Sequence, residues 1–370
     1  MSEHESDRLD GVPHPRFTAR LHGQEEAEAR FLDALGSDRL PHGWMLTGPK
    51  GVGKAMLAWR IARCLLAGGR VPEGGTLDMD PGDPVFRQVA ALSAPRLFLC
   101  RRPWDDKAKR LRAQITVDEV RALKSFFQMS AAEGGWRVAI VDAADEMNIG
   151  AANALLKVLE EPPERAALLL VCHQPGLLPP TIRSRCRVLR CGPVGADDLA
   201  RALDGAGISA PAGDAAALRA LAGGSVGDAA RLIAGNGIAT YAEILALLAG
   251  APGMDRRRLI ALAESCAGRD SADRYAMVLD LIGIALSRLA LAGAGSGLEP
   301  VSGDEAAVWE RLAAGPGPAR LWSRIAADLL ARAEHGRAVH LDPAQVILDT
   351  CLRIDTAATE ARIPAYGVPR

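Results

Sequence analysis

The sequence predicts an α/β domain with a parallel sheet, followed by two helical domains. Short apolar runs of strand length alternate with helical segments up to about residue 191, and no strand pattern stands out beyond it. A glycine-rich phosphate-binding motif stands directly after the first strand and before a helix. The chain of 370 residues has room for three domains, which we place at residues 1–191, 192–240 and 241–370.

The first strand and the following helix flank the glycine-rich loop. Trp44–Thr47 is a short apolar run that predicts a buried parallel strand, and Lys54–Leu66 continues with helical apolar spacing. Strand, glycine-rich loop and helix form the context in which a P-loop motif is credible. Before them, we expect a loose arm over residues 1 to about 22 and a helix over Glu25–Leu35.

Turn formers and capping residues place the next elements. Gly68–Pro84 is rich in Gly, Pro and Asp, which predicts a surface loop. Thr116-Val-Asp-Glu119 has capping-box spacing, so a helix should begin there and run to about Met129. The prolines after Glu161 end a helix predicted over Asn153–Leu159. The remaining strands, all short apolar runs, are predicted at Leu97–Cys100, Arg137–Asp142, Leu168–Cys172 and Val188–Cys191.

The second half of the chain reads as helical throughout. Residues 196–235 predict a small helical module, and residues 241–357 predict a larger helical domain. Glycine and proline interrupt the larger domain at Ala292–Gly297 and Gly315–Pro318.

Composition excludes several classes of protein. Hydrophobic residues make up 49% and charged residues 24%, as is ordinary for a soluble globular protein, and the net charge of -1 gives no global basic field for nucleic acid. The acidic start is not a secretory signal, and the longest wholly apolar run, Ala166–Cys172, is too short to span a membrane. We therefore expect a cytoplasmic protein without membrane contact. The seven cysteines form no C-x-x-C pair, which predicts neither disulfides nor zinc.

The glycine-rich motif fits seven of the eight positions of the P-loop pattern G-x-x-x-x-G-K-[ST]. Gly48, Gly51 and Gly53 would let backbone N–H groups wrap a phosphate, and Lys54 would reach the outer phosphates. The last position is Ala55, which lacks the hydroxyl that normally holds Mg²⁺. The loop therefore predicts a nucleotide site with poor support for metal-assisted cleavage.

A second nucleotide motif follows about ninety residues later. Val138–Val141 followed by Asp142 fits the Walker B pattern, four apolar residues and a metal-directed Asp. Active ATPases of this class usually carry a Glu next, to position the attacking water, and here that place is Ala143. The Mg²⁺ hydroxyl and the catalytic carboxylate are thus both missing from this vestigial nucleotide site.

In combination, these motifs resemble the AAA+ clamp-loader family of bacterial DNA polymerase III. The resemblance implies a P-loop (AAA+) α/β domain, a small helical lid domain and an all-α C-terminal collar domain. It covers residues 40 to 190, and the C-terminal half resembles the family only in helical character and position. The matching blocks are Leu40–Lys54, Val141–Asp145, Asn153–Pro163 and Leu178–Cys186.

The resemblance assigns Arg185 to the active site of another subunit. In the family, the Arg of the Ser-Arg-Cys motif, here Ser184–Cys186, is inserted into the ATP site of the neighbouring subunit. A planar, always-charged guanidinium stabilises the negative charge that spreads over the transferred phosphoryl group. The alternatives are a surface Arg that pairs with a local acid, and Arg183 as the finger.

Two further positions depart from the family pattern. Gly227 stands where active loaders carry a lid Arg that touches the nucleotide. The four-cysteine zinc module common in the family is reduced to Cys64. We therefore expect no required cofactor and no structural zinc, with weak ATP or ADP binding left open.

The resemblance also implies partners. Clamp loaders are five-membered arcs of related subunits joined by C-terminal collars, and they place a sliding clamp on primed DNA. The expected neighbours are gamma/tau and delta subunits in a hetero-oligomer within the DNA-directed DNA polymerase III holoenzyme. The clamp and the DNA would be reached through the complex.

Other interpretations remain at this point. The chain could be an active, gamma/tau-like motor ATPase with unusual motifs. An unrelated P-loop nucleotide kinase is a third option, but it gives no role to Ser184–Cys186 or to the long helical C-terminus. Trp104–Arg112, which carries Lys107, Lys109, Arg110 and Arg112, predicts an exposed basic loop that either touches DNA phosphates or is simply solvated.

Overall fold

The computed structural model describes residues 5–9, 11–37, 40–128, 134–211, 213–268, 271–338 and 341–362. They divide into two compact units, one drawn from Met1–Ser209 with Gly223–Ala230 and the other from Ala210–Ala222 with Arg231–Arg370.

The first unit is built on a parallel sheet, which confirms the predicted α/β fold. In the described ranges its main sheet has the strand order β2-β5-β6-β1-β7, and every neighbouring pair is parallel. The central strand β6 is buried along its whole length. The strands of this unit are β1 (Gly43–Thr47), β2 (Leu97–Arg101), β3 (Trp104–Asp105), β4 (Arg110–Leu111), β5 (Arg137–Asp142), β6 (Ala166–Cys172) and β7 (Arg187–Arg190).

Helices cover both faces of this sheet. Successive strand residues point to opposite faces, so Trp44 joins one apolar core while Met45 joins the other. The core on the Trp44 side contains α1 and α2, and the opposite core contains α4 and α5. The helices of the unit are α1 (Glu25–Gly36), α2 (Lys54–Leu66), α3 (Pro84–Ala90), α4 (Val117–Gln128), α5 (Ile149–Glu160), α6 (Pro180–Arg183) and α7 (Ala196–Gly205).

Several predicted boundaries change. α5 begins at Ile149 rather than Asn153, because the Asn148 side chain accepts a hydrogen bond from the Ala151 N–H at 2.8 Å and caps the helix. The predicted loop up to Pro84 is followed by the short helix α3, which Asp83 caps. The predicted end of α4 at Met129 lies outside the described residues.

The prediction of a loose N-terminal arm is wrong for its described residues. The Asp7 side chain is 1% exposed and lies 3.0 Å from the His14 ring, while Arg16 pairs with Glu5 at 2.6 Å. Arg101, at the end of β2, also pairs with Asp7 and with Glu5. Opposite charges at long sequence separation therefore fix the arm to the sheet unit.

The basic loop is a hairpin. β3 and β4 pair antiparallel, with Trp104 opposite Leu111 and Asp105 opposite Arg110. Strands of two residues leave too short a pattern for sequence reasoning to detect.

The described residues of the second unit form helices and their connections. α9 begins in the first unit and continues into the second, and the predicted glycine-rich interruptions overlap the end of α12 and the start of α14. The three-domain division remains a prediction. The helices are α8 (Ala215–Ala222), α9 (Val226–Ala234), α10 (Gly237–Gly250), α11 (Arg256–Glu264), α12 (Ala272–Gly293), α13 (Gly303–Leu312), α14 (Pro316–Ala338) and α15 (Pro343–Arg362).

Among the described helices, α12 is long and apolar enough to cross a membrane by length and composition, and counting the bent pair α9 and α10 as one span gives at most two. The apolar window of α12 has a mean hydropathy of 1.8, and half of it is buried inside the protein. Core helices of soluble proteins meet the same criterion, so the absence of membrane contact remains a prediction.

Candidate functional site

The P-loop lies between β1 and α2, as the motif predicts. Gly48 follows the end of β1 with a φ of 142°, and a Cβ at this position would overlap the carbonyl oxygen of Cys191. Gly53 has a φ of 105° directly before Lys54, where α2 begins. Glycine is needed at Gly48 both for this backbone conformation and for the close approach of the chain after β7.

The Lys54 ammonium is directed at the loop itself. It donates hydrogen bonds to the carbonyl oxygen of Gly48 at 2.7 Å and to that of Pro49, and the residue is buried. Burial lowers the pKa of Lys54, an effect opposed in part by the charges of Asp142 and Asp145. The ammonium group is therefore bound by carbonyl oxygens of its own chain at the place where the motif predicts phosphates.

Asp142 stands at the end of β5, on the same edge of the sheet. Burial, together with the neighbouring carboxylates of Asp7 and Glu146, raises the pKa of Asp142 to about 8. A raised pKa means that this carboxyl carries its negative charge less readily at neutral pH than an ordinary Asp does.

Asp145 is held by the chain rather than directed into the loop. Its carboxylate accepts hydrogen bonds from the backbone N–H of His173 at 2.9 Å and of Gln174 at 3.0 Å. This contact ties the segment after β5 to the segment after β6. Burial, with the nearby Lys54 cation, lowers the pKa of His173 to about 4, so the ring is neutral.

The start of α9 is bonded to the P-loop. The Ser225 hydroxyl donates to the Lys50 carbonyl at 3.0 Å and accepts from the Asp228 N–H, and the Gly227 N–H donates to the Gly51 carbonyl at 3.0 Å. A Cβ at Gly227 would lie 2.9 Å from the Cα of Gly51. This arrangement leaves no room for a side chain at Gly227.

The N-terminal arm reaches the same place. The Leu9 side chain would lie 3.1 Å from a Cβ at Gly227, and the Asp7 carboxylate raises the pKa of Asp142. Sequence reasoning missed both residues, because no local pattern connects the arm to the P-loop.

Gln24 and Ser225 were also missed. The buried Gln24 amide donates to the carbonyl of Val52 at 2.9 Å and to that of Gly192 at 2.7 Å, which joins the P-loop to the chain after β7. Ser225 stands three residues before Asp228, a spacing typical of a helix start, and this signal could have identified it. Gln24 has no such signal.

Arg185 lies at the other edge of the sheet. Its carbonyl oxygen would be 3.3 Å from a Cβ at Gly43, the first residue of β1, whereas the P-loop follows the last residue, Thr47. The length of β1 separates the two edges by about 16 Å, at roughly 3.3 Å per strand residue. The structure thus brings the P-loop glycines, Lys54 and Asp142 together and leaves Arg185 apart from them.

The Arg185 side chain is 38% exposed. It pairs with Glu160, at the end of α5, at 2.9 Å, and it donates to the carbonyl of Thr181 at 3.0 Å. Within this chain, Arg185 is therefore a surface Arg that pairs with a local acid, as the alternative interpretation predicts. Arg183, the second candidate for the finger, is also exposed.

Comparison with known proteins identifies the family of the sheet unit. Residues 23–194 match the family model described as DNA polymerase III, delta subunit. Residues 23–194 belong to this family. The resemblance seen in the motifs is thereby confirmed, and every motif residue up to Cys186 falls within the matched region.

Curated relatives agree with the family model. The delta' subunit of DNA polymerase III from Pseudomonas aeruginosa is 38% identical over 195 residues, which cover 52% of this chain and 55% of that protein. The gamma/tau subunit from Mycobacterium tuberculosis is 30% identical over 181 residues, 46% of this chain and 28% of that protein. This chain thus spans about half of the delta' relative and about a quarter of the gamma/tau relative.

A gamma subunit-related protein of DNA polymerase III from Thermotoga maritima is among the similar solved structures. The TM-score is 0.43 at 16% identity, over 90% of this chain and 99% of that chain.

The relatives include both subunit types, so the choice between them depends on the chemistry of the site. Within the described ranges, no group of three His, Cys, Asp or Glu side chains could hold a metal ion. The seven cysteines, all of them described, are buried free thiols.

Proposed function

We propose that the chain is a clamp-loader subunit of the delta' type, which does not hydrolyse ATP and supplies Arg185 to the ATP site of a neighbouring subunit. The resemblance implies gamma/tau and delta subunits as its partners, and a cytoplasmic hetero-oligomer that loads the sliding clamp on primed DNA. The match of residues 23–194 to the delta family model and the 38% identity to a delta' subunit support this choice.

The placement of Arg185 carries the proposal. This exposed guanidinium lies at the amino edge of the sheet, while the P-loop of its own chain lies at the carboxyl edge. Arg185 therefore has no reach to its own P-loop, but it is accessible to a second subunit. Its partner Glu160 is about half exposed, so breaking this ion pair costs little free energy. Arg185 can therefore leave Glu160 and bind a phosphate of the neighbouring subunit's nucleotide.

The P-loop region supports the absence of ATP hydrolysis. Its residues do not fit a magnesium–nucleotide complex, because Ala55 offers no hydroxyl and Ala143 offers no carboxylate. The Lys54 contacts and the bond between Gly227 and Gly51 further hold the loop with groups of the chain itself. A nucleotide that binds weakly to this loop would have to displace these contacts. The proposed role requires no cofactor.

The test is ATP hydrolysis by the chain reconstituted with gamma/tau and delta subunits. Arg185→Ala should slow hydrolysis at one neighbouring site by about 10³-fold or more, because the transition-state charge loses its cation. Arg185→Lys should restore little, since a point charge does not reproduce the planar guanidinium.

Arg183→Ala is the matched control, because Arg183 is exposed and lies two residues away. Analytical ultracentrifugation should show the same assembly for all three variants. Unchanged hydrolysis by an assembled Arg185→Ala complex would contradict the proposal, and a loss with Arg183→Ala alone would move the role to that residue.

An active motor subunit is the second candidate, because the three P-loop glycines and Lys54 are all present and a gamma/tau relative is 30% identical over 181 residues. ATP turnover by the purified chain alone, abolished by Lys54→Ala, would favour it.

A further inference from the structure

The hairpin of β3 and β4 concentrates positive charge. Residues 101–112 contain six Lys and Arg against two Asp, a net charge of +4 in a chain whose net charge is -1. The proposed function assigns this cluster no role.

The base of the hairpin is neutralised by ion pairs. Arg101 pairs with Asp7, Arg102 pairs with Glu146 at 2.6 Å, and Arg112 pairs with Asp105 at 3.6 Å. The first two contacts tie the hairpin to Asp7 and to Glu146, the third lies within the hairpin, and together they account for three of the six cations.

The tip is different. Lys107, Lys109 and Arg110 are exposed, and no carboxylate among the described residues lies within ion-pair distance of them. The turn carries two carboxylates: Asp105 accepts hydrogen bonds from the backbone N–H of Lys107 and of Ala108, both at 3.0 Å, and Asp106 is exposed. The Asp105 side chain therefore closes the turn, and the tip presents three cations against the single exposed carboxylate of Asp106, with which none of them forms an ion pair.

We propose that this hairpin tip binds the phosphate backbone of nucleic acid without reading its sequence. Lys binds phosphate as a point charge, which suits a polymer of evenly spaced single charges, and neutralised phosphates release counterions. The tip cations lie on a loop already ordered by Asp105, so binding orders little additional backbone. Residues 23–194 match a family of DNA polymerase III subunits, which favours DNA over an acidic protein as the ligand of the hairpin tip.

The inference extends the proposed function and does not depend on Arg185. Without DNA, an assembly that carries the hairpin variant below should hydrolyse ATP as the wild type does, whereas Arg185→Ala should lower hydrolysis. Each proposal can therefore fail by itself.

The first test measures binding of the full-length chain to a fluorescein-labelled primed DNA by anisotropy over a range of salt concentrations. The variant Lys107→Gln/Lys109→Gln/Arg110→Gln should bind at least about 10-fold more weakly at low salt. The slope of log affinity against log salt should shrink by about 2.7, since each lost phosphate contact contributes about 0.9.

The control variant removes the same charge elsewhere. Arg219, Arg257 and Arg320 are exposed and have no ion pair to a described residue, and Arg→Gln at all three should change DNA binding little. Lys107→Arg/Lys109→Arg should keep wild-type affinity, and circular dichroism checks the fold of each variant.

A labelling experiment locates the contact. All seven native cysteines are buried, so a maleimide dye should react selectively with Ala108→Cys at the exposed tip. Primed DNA should change the emission of this dye and leave a dye at the exposed Ala216→Cys unchanged.

Three results would overturn the inference. The wild-type chain could fail to bind DNA at low salt, or the hairpin variant and the control variant could lose equal affinity. Hairpin-dependent binding of polyglutamate without binding of DNA would instead identify an acidic protein partner.

Discussion

At the scale of single residues, Gly48 shows how the P-loop is constrained by a distant segment. Its φ of 142° belongs to a region that side chains rarely adopt, and a Cβ would overlap the Cys191 carbonyl. Gly68 has a similar φ of 122° with no atom within 4 Å of a Cβ. The two glycines therefore differ mainly in the steric contact.

We expect Gly48→Ala to lower the free energy of unfolding by about 3 kcal/mol or more, because backbone strain and overlap add. Gly68→Ala should lower it by about 1 kcal/mol, the strain alone. Urea denaturation of both variants measures the difference. Equal losses of unfolding free energy in the two variants would show that the Cys191 carbonyl does not exclude a side chain at position 48.

At the scale of elements, a buried ion pair organises the described helices of the second unit. Glu305 on α13 is fully buried and accepts hydrogen bonds from Arg288 on α12 at 2.8 and 2.9 Å and from Tyr241 on α10 at 2.5 Å. The backbone N–H of Val301 donates a further bond to Glu305 at 2.6 Å. Three helices thus meet at one carboxylate, whose lone pairs are well satisfied.

Glu305 predicts a pH dependence. Burial raises the pKa of Glu305, but the hydrogen bonds from Arg288 and Tyr241 outweigh it and hold the pKa below its ordinary value. A depressed pKa stabilises the fold above the unfolded pKa of about 4.3, and this stability is lost as pH falls through the lower folded value.

Glu305→Gln should therefore destabilise the helical unit by about 3 kcal/mol at neutral pH, and by less as pH falls below about 4. Hydrogen exchange of α12 and α13 amides reports this unit separately from the sheet unit. Glu310→Gln, exposed on the same helix, is the control and should change little at any pH. A pH-independent loss in Glu305→Gln would contradict the role of the charge.

The length of an element decides whether the sequence predicts it. β1, α2 and β5 follow the predicted limits closely, since each has a strong apolar pattern bounded by glycine or a charge. The short helices α3 and α6 and the two-residue strands of the hairpin were missed, because so few residues carry no measurable period.

At the scale of the whole molecule, three segments far apart in sequence determine the chemistry of the P-loop region. Ala55 belongs to α2, Ala143 follows β5 and Gly227 belongs to α9. In the proposed function, each stands in place of a different element of phosphoryl transfer: the metal ligand, the water-positioning carboxylate and the nucleotide-contacting Arg.

Restoring one group should therefore not restore activity. We expect purified Ala55→Thr to release phosphate from ATP no faster than wild type or than Lys54→Ala, which controls for contaminating ATPases. Robust hydrolysis by Ala55→Thr, lost on adding Lys54→Ala, would show that the other two positions are not needed.

The sequence by itself determined the parallel sheet, the P-loop between β1 and α2, and the missing groups at Ala55, Ala143 and Gly227. These follow from local patterns and from the identity of single side chains. Only the tertiary structure decided that the Asp7 charge raises the pKa of Asp142, and that Arg185 lies at the opposite edge of the sheet from Lys54. Such contacts join segments that are distant along the chain, and packing and buried charge set them without leaving any periodic signal in the sequence.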